Sequence, residues 1–548
     1  MIRYLIFLFI AYTSYNFNDK IYQDMRISKL LHKHYFFLAL ILVLAVCLRL
    51  PNLSQPFWGD EILSLQIVRH FQDNISGLFQ YLRAVEVHPP LYYLILIGWT
   101  KLFGFSEMAV RSLSLIFGLA TVALSYFLGK QLWKNARAGL LAALLVAVMP
   151  MPIIFSTEAR PYIIFSFLGL LCLYKLNTYL DKKHWSQLVY FSIFAIFGLY
   201  LHYSFLLILF PLLAWWLFKI IIDKRREDLF RLVLVLASIF LGFYWWLPAM
   251  LYKVLLGNYE LMNLPRTIFS HRALYFFEAS FNQLIWTVKD KQVLPLEILV
   301  ILVSKLAAAA ALLWLLLKKE KEIIFPFLHI SFLVIISLVI FLFSPASENY
   351  VSIFEKHVFW LSILLALALA GLASRLKTKA AAALISIFIV SFITFDAKIL
   401  LSQNSFDADR AQKLIAEQIN DGFLPGDIVI DNFSYDRSNL NYYLHPHISA
   451  YGFYPPQLFD WQNDIYASRN TLGLLENDAQ SRIWPVSGEA LDLKMNYIIR
   501  QTSPTRIWLA YADYQDYGLK RWLEANGWRH AIFSIDRFSP LDLYVKKQ

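Results

Sequence analysis

Acidic and basic side chains are concentrated in the polar stretches between long apolar runs, and their types suit transfer chemistry beside a membrane. Asp60 and Glu61 open a segment with helical spacing. A carboxylate at this place can take a proton from a hydroxyl group, as a general base does. A short carboxylate at a helix start can also cap free backbone amides, so the structural alternative for Asp60 is an N-cap, and the two roles are compatible. The apolar positions that predict a helix lying flat on the membrane surface are Leu63, Ile67 and Phe71.

A second set of polar residues has the types that bind metal ions. Glu86 and His88 stand two apart in an extended stretch that ends in two prolines. A carboxylate and an imidazole at this spacing can hold a divalent ion. His202, at the end of a later apolar run, adds a third candidate ligand. The alternative is that all three are ordinary polar residues at the membrane interface, and both interpretations stay open.

The stretch STEARPY, residues 156–162, suits a phosphate group. Arg160 can hold phosphate oxygens through two parallel hydrogen bonds, Glu158 could orient the guanidinium or bind a metal, and Tyr162 completes the candidate contact. Lys356 and His357 stand at the predicted outer end of a late apolar run. Lys and Arg are usually in excess on the cytoplasmic side, so a cation at the outer end is unusual. A phosphate partner would explain them. The alternatives are an interfacial ion pair and a tolerated outer cation.

The elements that must position these residues are membrane helices. The chain has 548 residues, of which 58% are hydrophobic and 16% are charged, whereas soluble domains carry about 25% charged residues. Several apolar runs reach the roughly 20 residues that cross a bilayer. The formal charge of +11 divides into +15 up to residue 395 and −4 after it. The basic excess therefore belongs to the membrane part and does not indicate a nucleic-acid partner, and disordered, fibrous and disulfide-rich classes are excluded.

Loop charges predict the topology. Arg26, Lys29 and Lys33 keep the start of the first apolar run, residues 35–50, in the cytoplasm. The run 91–104 is too short to cross and suits an interfacial or re-entrant helix. About eleven spans result, with the C-terminus outside. The later predicted spans are 109–132, 138–155, 162–180, 186–202, 204–222, 232–250, 294–317, 323–343, 357–374 and 380–395.

Three regions follow from this pattern: an N-terminal cytoplasmic or peripheral extension at 1–34, a membrane domain at 35–395 and an extracytoplasmic domain at 396–548. Helical and strand-like segments alternate in the last region, which predicts a small α/β sandwich. It contains no nucleotide-binding or metal-binding motif, and we expect it to be a docking or lid domain. The stretch 251–292 is predicted to form a mobile cover on the outer side.

The order of four segments resembles a known superfamily. DEILS, the run beginning HPPLYYLILIGW, STEARPY and LHYSFLL follow one another as in the dolichyl-phosphate-mannose protein mannosyltransferase-like superfamily, and the likeness is greatest to bacterial glycosyltransferases of the aminoarabinose-transferase and RgtA/B/C/D-like type. It implies an all-α polytopic membrane protein with the GT-C fold and a cleft on the outer side. Under this resemblance Asp60 is the catalytic acid/base, Glu61 its acidic neighbour, and Glu158 and Arg160 the second outer-loop motif.

The resemblance also implies ligands and partners. Glu86, His88 and His202 would be metal or substrate ligands, which calls for a divalent metal ion of unassigned identity and for no nucleotide cofactor. Many relatives carry an Arg-Tyr pair where this chain has Lys356 and His357. The implied partners are a polyprenyl-phosphate sugar donor, membrane lipids and a glycan, lipid or protein acceptor, without nucleic acid. The implied location is the bacterial inner membrane.

The expected function is transfer of a sugar from that donor with inversion, because one carboxylate base is enough when no covalent sugar intermediate forms. Three other functions stay open. A transporter or flippase of lipid-linked glycans would show internal repeats and ionisable residues at mid-membrane, and neither is clear here. An envelope polysaccharide polymerase or ligase would use a diphosphate-linked donor. A catalytically inactive scaffold would bind a partner through its soluble domain.

Overall fold

The computed structural model describes most of the chain. The described residues are 23–84, 86, 88–255, 356, 359–376, 386, 389, 408–432, 440–448, 450–452, 489–511, 519–532 and 541–546. Among the expectations above, His357, the cover at 251–292 beyond residue 255, the spans 294–317 and 323–343, and most of 380–395 lie outside the described residues. The chain divides into two compact units, which are Met1–Leu53 with Gln80–Ile399, and Ser54–Phe79 with Leu400–Gln548.

All the regular secondary structure described in the first unit is helical. It begins with α1 (Gln23–Leu53). The next helix, α2 (Gly59–Phe71), belongs to the second unit. The boundary between the units falls within α3 (Ile75–Ala84), whose C-terminal part belongs to the first unit. The helices that follow are α4 (Leu91–Phe103), α5 (Glu107–Trp133), α6 (Ala136–Val148), α7 (Pro150–Phe155), α8 (Tyr162–Lys182), α9 (Ser186–Leu201), α10 (Leu206–Ile222), α11 (Arg226–Phe243), α12 (Leu247–Leu255) and α13 (Trp360–Arg375). A short 3₁₀ turn, Tyr203–Phe205, joins α9 to α10.

Length and composition single out helices among them that could cross a membrane. Within the described residues, the helices long and apolar enough to cross a bilayer are His34–Leu53, Glu107–Trp133, Tyr162–Lys182 and Tyr203–Ile222. The α4 helix has 13 residues, or roughly 20 Å, which is shorter than the roughly 30 Å hydrocarbon core. This length agrees with the expectation that 91–104 does not make a full crossing.

The predicted span 138–155 differs from the structure, because it is two helices, α6 and α7. Met149 between them is extended, with φ −70° and ψ 134°. Pro150 causes the break, since a proline pushes the preceding residue out of the helical region and has no amide hydrogen to donate. Arg49 of α1 is fully buried beside the end of α6, where its Nη1 donates to the carbonyl of Ala147 at 2.9 Å. A cation there is favoured by the negative end of the helix dipole.

The α13 helix packs tightly against the end of α5. The indole Nε1 of Trp133 donates a hydrogen bond to the carbonyl of Leu367 at 2.9 Å. A Cβ at Gly371 would lie 1.7 Å from that indole ring, so glycine is needed for the approach. Lys356 lies four residues before the start of α13, and this packing therefore fixes the helix next to it.

The second unit contains a mixed five-stranded sheet. Its strands are β1 (Asp427–Asn432), β2 (Ala450–Gly452), β3 (Arg506–Tyr511), β4 (Trp528–Ile532) and β5 (Leu541–Lys546), in the order β2-β1-β3-β5-β4. The pairs β1–β2 and β1–β3 are parallel, whereas β3–β5 and β4–β5 are antiparallel. Helices α14 (Ala408–Gly422), α15 (Leu440–Tyr443), α16 (Glu489–Thr502) and α17 (Leu519–Ala525) complete the α/β part.

The sheet has an apolar core on each face, which confirms the predicted α/β class. On one face, Ile498 of α16 and Leu523 of α17 pack with Ile507 of β3. On the other face, Ile415 of α14 and Leu440 of α15 pack in a separate cluster. Alternate residues of the strands feed the two cores, as expected for a sheet covered on both sides.

Asp427 at the start of β1 holds three chain segments together. Its side chain is completely buried, accepts hydrogen bonds from Arg506 Nε at 2.8 Å and Trp508 Nε1 at 3.0 Å, and also accepts from the backbone amide of Leu424 at 2.9 Å. Burial alone would raise the pKa of Asp427, but these hydrogen bonds and the Arg506 charge outweigh it and lower the pKa below its ordinary value.

We therefore expect the α/β part to lose stability in acid. The pKa of Asp427 is lower in the folded chain than in the unfolded chain. The carboxylate therefore stabilises the fold at pH values above about 4, the ordinary pKa of Asp, and this contribution disappears as the pH falls through the lower pKa of the folded chain. Asp427→Asn should lower the free energy of opening by about 2–3 kcal/mol at pH 7 and reduce its pH dependence. Hydrogen exchange of peptides covering β1 and β3 in the full chain, referenced to the unfolded chain at each pH, measures this. Exposed Asp421 provides the control, Asp421→Asn. Equal exchange in the two variants would contradict the prediction.

Candidate functional site

The two units each contain part of the predicted set of site residues. The second unit contains Asp60 and Glu61. The first unit contains the remaining described ones, which are Glu86, His88, Glu158, Arg160, Tyr162, His202 and Lys356. The structure brings most of the second group together, although these residues are distant in the sequence.

A chain of hydrogen bonds joins Glu86, His88 and Arg160. The Nδ1 of His88 lies 2.6 Å from Oε1 of Glu86, and its Nε2 lies 3.3 Å from Nη2 of Arg160. The backbone amide of His88 also donates to Glu86 Oε1 at 3.3 Å. Glu86 is 6% exposed and Arg160 is 4% exposed. Burying a guanidinium costs free energy unless it is hydrogen-bonded and charge-compensated, and this chain of contacts supplies both.

The contacts determine which nitrogen of His88 carries the proton. A guanidinium only donates hydrogen bonds, so the Nε2 of His88 must accept from Arg160. The proton of the neutral ring is then on Nδ1 and is donated to Glu86. His88 therefore fixes the position of the Arg160 side chain, and Glu86 fixes the position of His88.

An aromatic and cationic lining surrounds this chain of contacts. The ring of His202 lies 5.1 Å from the ring of His88 and 5.8 Å from that of Tyr162. The Arg160 guanidinium lies 5.7 Å from the Tyr162 ring centroid, and the Lys356 ammonium lies 5.9 Å from the same centroid. Two cations thus share one ring, at distances suited to cation–π attraction.

The ends of three helices position these side chains. His88 stands three residues before α4, Arg160 stands just before Pro161 and the start of α8, and His202 directly follows α9. The Nδ1 of His202 accepts the Ser204 amide at 3.0 Å, which fixes its ring at the start of the 3₁₀ turn. Each side chain therefore lies beside a helix terminus rather than in the middle of a helix.

Close packing fixes the turn that precedes Arg160. Ser156 is completely buried, and a Cβ at Gly118 of α5 would lie 2.5 Å from the Cβ of Ser156. Glycine at position 118 is therefore required for the turn to sit this close to α5. The amide of Arg160 donates to the carbonyl of Glu158 at 2.8 Å, which tightens the turn further.

The predicted metal site does not fit the arrangement of the described residues. Among them, no group of three or more His, Cys, Asp or Glu side chains is placed to hold a metal ion. The donor atoms of Glu86 and His88 face each other, the Nε2 of His88 faces Arg160, and the Nδ1 of His202 accepts a backbone amide. These three residues belong instead to the cluster around the Arg160 guanidinium. We call this cluster the Arg160 site, and it consists of Glu86, His88, Arg160, Tyr162, His202 and Lys356.

The structure separates the roles of the two acidic residues on α2. Trp58, and not Asp60, is the residue that precedes the helix, so Asp60 lies in its first turn. Glu61 is completely buried and its Oε2 accepts the amide of Trp58 at 3.1 Å. The N-cap expectation for Asp60 is therefore wrong, because the carboxylate that accepts a backbone amide at the start of α2 is that of Glu61. Asp60 is partly exposed and stays the predicted base.

The sequence contains the residues of the Arg160 site without showing how they are connected. Glu158 was the partner expected for Arg160, and the structure adds His88, 72 positions away, as a contact of the guanidinium. The positioning of the site by Arg49 and Gly118 was also missed. A buried arginine within an apolar run was the available signal for Arg49, because such residues are rare and need internal partners.

Comparisons with known proteins give a family match over the middle of the chain. Residues 87–252 match the family described as dolichyl-phosphate-mannose-protein mannosyltransferase. This range contains His88, Arg160 and His202 and begins after Asp60. No curated protein sequence matches the chain.

Two solved structures of one protein show similarity of fold. ArnT from Cupriavidus metallidurans in the apo state is 12% identical, with a TM-score of 0.57, and the match covers 92% of this chain and 97% of ArnT. The same protein bound to undecaprenyl phosphate is 14% identical, with a TM-score of 0.56 and the same coverage. The Archaeoglobus fulgidus oligosaccharyltransferase, in complex with Zn and sulfate, is 14% identical, with a TM-score of 0.46, over 73% of this chain and 60% of its own.

We predict that Glu86 stabilises the first unit through His88. Glu86→Gln keeps the size of the side chain but removes the charge, and should lower the free energy of unfolding by about 1–3 kcal/mol. Thermal unfolding of the full chain in detergent micelles measures the change. Glu227→Gln is the matched control, because the Glu227 side chain is 90% exposed. If the two variants unfold at the same temperature, Glu86 does not support the Arg160 site as described.

Proposed function

We propose that this chain, a membrane glycosyltransferase of the GT-C superfamily, transfers a sugar from a polyprenyl-phosphate donor to an acceptor hydroxyl group at the outer face of a bacterial inner membrane. The acceptor class is an envelope glycan, lipid or protein, and the C-terminal α/β part lies on the same outer side. The observation that carries the proposal is the buried Arg160, which His88 and Glu86 hold in place within the range that matches the mannosyltransferase family.

The chemistry of the Arg160 site suits the phosphate of such a donor. Arg160 supplies a fixed guanidinium, and Lys356 supplies a second cation near the shared Tyr162 ring. Helix α8 begins at Tyr162, so its first amide groups and the positive end of its dipole lie next to Arg160. Cations and a helix N-terminus together favour binding of an anion.

The placement of the site at helix ends favours an enzyme over a transporter. The polar residues of the Arg160 site follow or precede α4, α8 and α9, which is where lipid headgroups meet a membrane protein. A substrate pathway through a transporter would need ionisable groups near the middle of spanning helices. A donor anchored by its lipid tail also needs no nucleotide-binding motif.

The proposed reaction is a direct displacement. The acceptor oxygen attacks the anomeric carbon as the bond from that carbon to the phosphate oxygen breaks, and the configuration inverts. Asp60 takes the proton of the acceptor hydroxyl. Polyprenyl phosphate leaves with the bonding electron pair, and Arg160 and Lys356 stabilise the charge that develops on its oxygen. One carboxylate is enough because no covalent sugar intermediate forms.

Replacing Asp60 tests the base. Asp60→Asn keeps the shape of the side chain and removes its ability to accept a proton, so we expect kcat to fall about 100- to 10,000-fold with unchanged membrane insertion. The assay follows sugar transfer from a synthetic polyprenyl-phosphate donor. Asp73→Asn, an exposed position just beyond α2, is the control and should retain activity. Full activity of Asp60→Asn would remove this residue from the mechanism.

Replacing Arg160 tests the phosphate contact. Arg160→Lys keeps the charge but loses the planar pair of donors, so we expect the Kd for polyprenyl phosphate to rise about 10- to 100-fold. Binding of the lipid to the full chain in nanodiscs measures this. The control is Arg226→Lys at an exposed position at the start of α11. Unchanged affinity in Arg160→Lys would show that the phosphate binds elsewhere.

A further inference from the structure

The α/β part of the second unit contacts the helix that carries Asp60 at both ends. Before the helix, the backbone amide of Phe57 donates to the hydroxyl of Tyr443 at 2.8 Å, and the rings of Phe57 and Tyr442 meet edge to face with centroids 5.7 Å apart. In the last turn of the helix, the guanidinium of Arg69 lies 4.8 Å from the Tyr442 ring centroid. We call Tyr442 and Tyr443 the tyrosine pair.

The tyrosine pair is itself held by the core of the α/β part. Asn420 of α14 donates from Nδ2 to the carbonyl of Tyr443 at 2.9 Å and accepts the amide of His445 at 2.8 Å. Leu440 and Leu444, on either side of the pair, are buried in the same apolar cluster as Ile415. The position of the Tyr443 hydroxyl is therefore set by packing of the sheet and not by a flexible loop.

The contact at Phe57 is transmitted to Asp60 through a short rigid segment. Phe57 is completely buried, and Trp58 accepts the amides of Glu61 and Ile62 at 2.9 and 3.1 Å through its carbonyl. The amide of Trp58 in turn donates to the Glu61 carboxylate. The backbone carbonyl of Asp60 accepts the hydroxyl of Ser64 at 3.0 Å. A displacement of Phe57 would therefore move the first turn of α2, and Asp60 with it.

We propose that Tyr443 is a positioning residue for Asp60. Its hydroxyl accepts the Phe57 amide, and this contact couples the α/β part to the orientation of the predicted base. This assigns the C-terminal region a role in the transfer step, and it rests on the proposed function for the meaning of Asp60. Catalytic groups must be held within about 0.5 Å of their working geometry, so loss of one anchoring hydrogen bond three residues from the base is expected to affect the rate.

Tyr443→Phe removes the hydroxyl and keeps the ring. We expect hydrogen exchange of the segment 57–62 to become about tenfold faster in the full chain, and kcat to fall about tenfold while the KM for the donor stays unchanged. Tyr497→Phe is the matched control, because Tyr497 lies on α16 and is 42% exposed. The exchange of segment 57–62 and the kcat of this control should equal those of the original chain. A uniform structural defect would lower the thermal midpoint and the amount of folded protein without separating kcat from KM.

Two results would overturn the proposal: unchanged exchange of segment 57–62 in Tyr443→Phe, or faster exchange with an unchanged kcat. If the original chain transfers no sugar, the proposed function fails, while the exchange measurement still decides whether Tyr443 holds the start of α2. If Tyr443→Phe does not accumulate, Arg69→Gln removes the contact at the other end of α2. Exchange of the segment 66–71 must then become faster, and equal exchange would overturn the role of the tyrosine pair.

Discussion

A guanidinium group that is almost completely buried needs hydrogen bonds and a counter-charge, and this requirement organises the first unit. Arg160 meets it through His88, whose other nitrogen donates to Glu86. The three residues act as a unit, because removing the carboxylate would take away the acceptor that orients the imidazole, and with it the fixed contact to the guanidinium. The result is a fixed positive group beside the start of α8, ready for an anion that brings its own negative charge.

Local features of the surrounding fold keep the Arg160 guanidinium in place, and each of these features has a physical cause. Pro150 ends α6 and allows the chain to turn before Arg160, and Gly118 lets that turn pack against α5. Arg49 compensates the carbonyl groups at the end of α6. In the second unit, the Glu61 carboxylate and the tyrosine pair determine where α2 begins. Helix ends, rather than helix interiors, therefore hold the candidate site residues.

Much of this organisation could be predicted from the sequence, because hydropathy, loop charge and turn residues are local signals. The α/β elements of the C-terminal region, the short α4 helix and the choice of Arg160 and His88 as candidate site residues were all accessible in this way. The contact between Arg160 and His88 was not, since no local pattern links residues 72 positions apart. The role of Glu61 was missed because a buried carboxylate and an exposed one look alike in a sequence. Pro150 signals the break between α6 and α7, which hydropathy alone does not show.

The binding of the donor phosphate by Arg160 is tested most directly by a structure of the full chain with undecaprenyl phosphate in a lipid bilayer. We expect the phosphate oxygens to lie within hydrogen-bonding distance of the Arg160 guanidinium, with His88 still between Arg160 and Glu86. A phosphate bound away from Arg160, at mid-membrane or against another helix, would contradict this expectation.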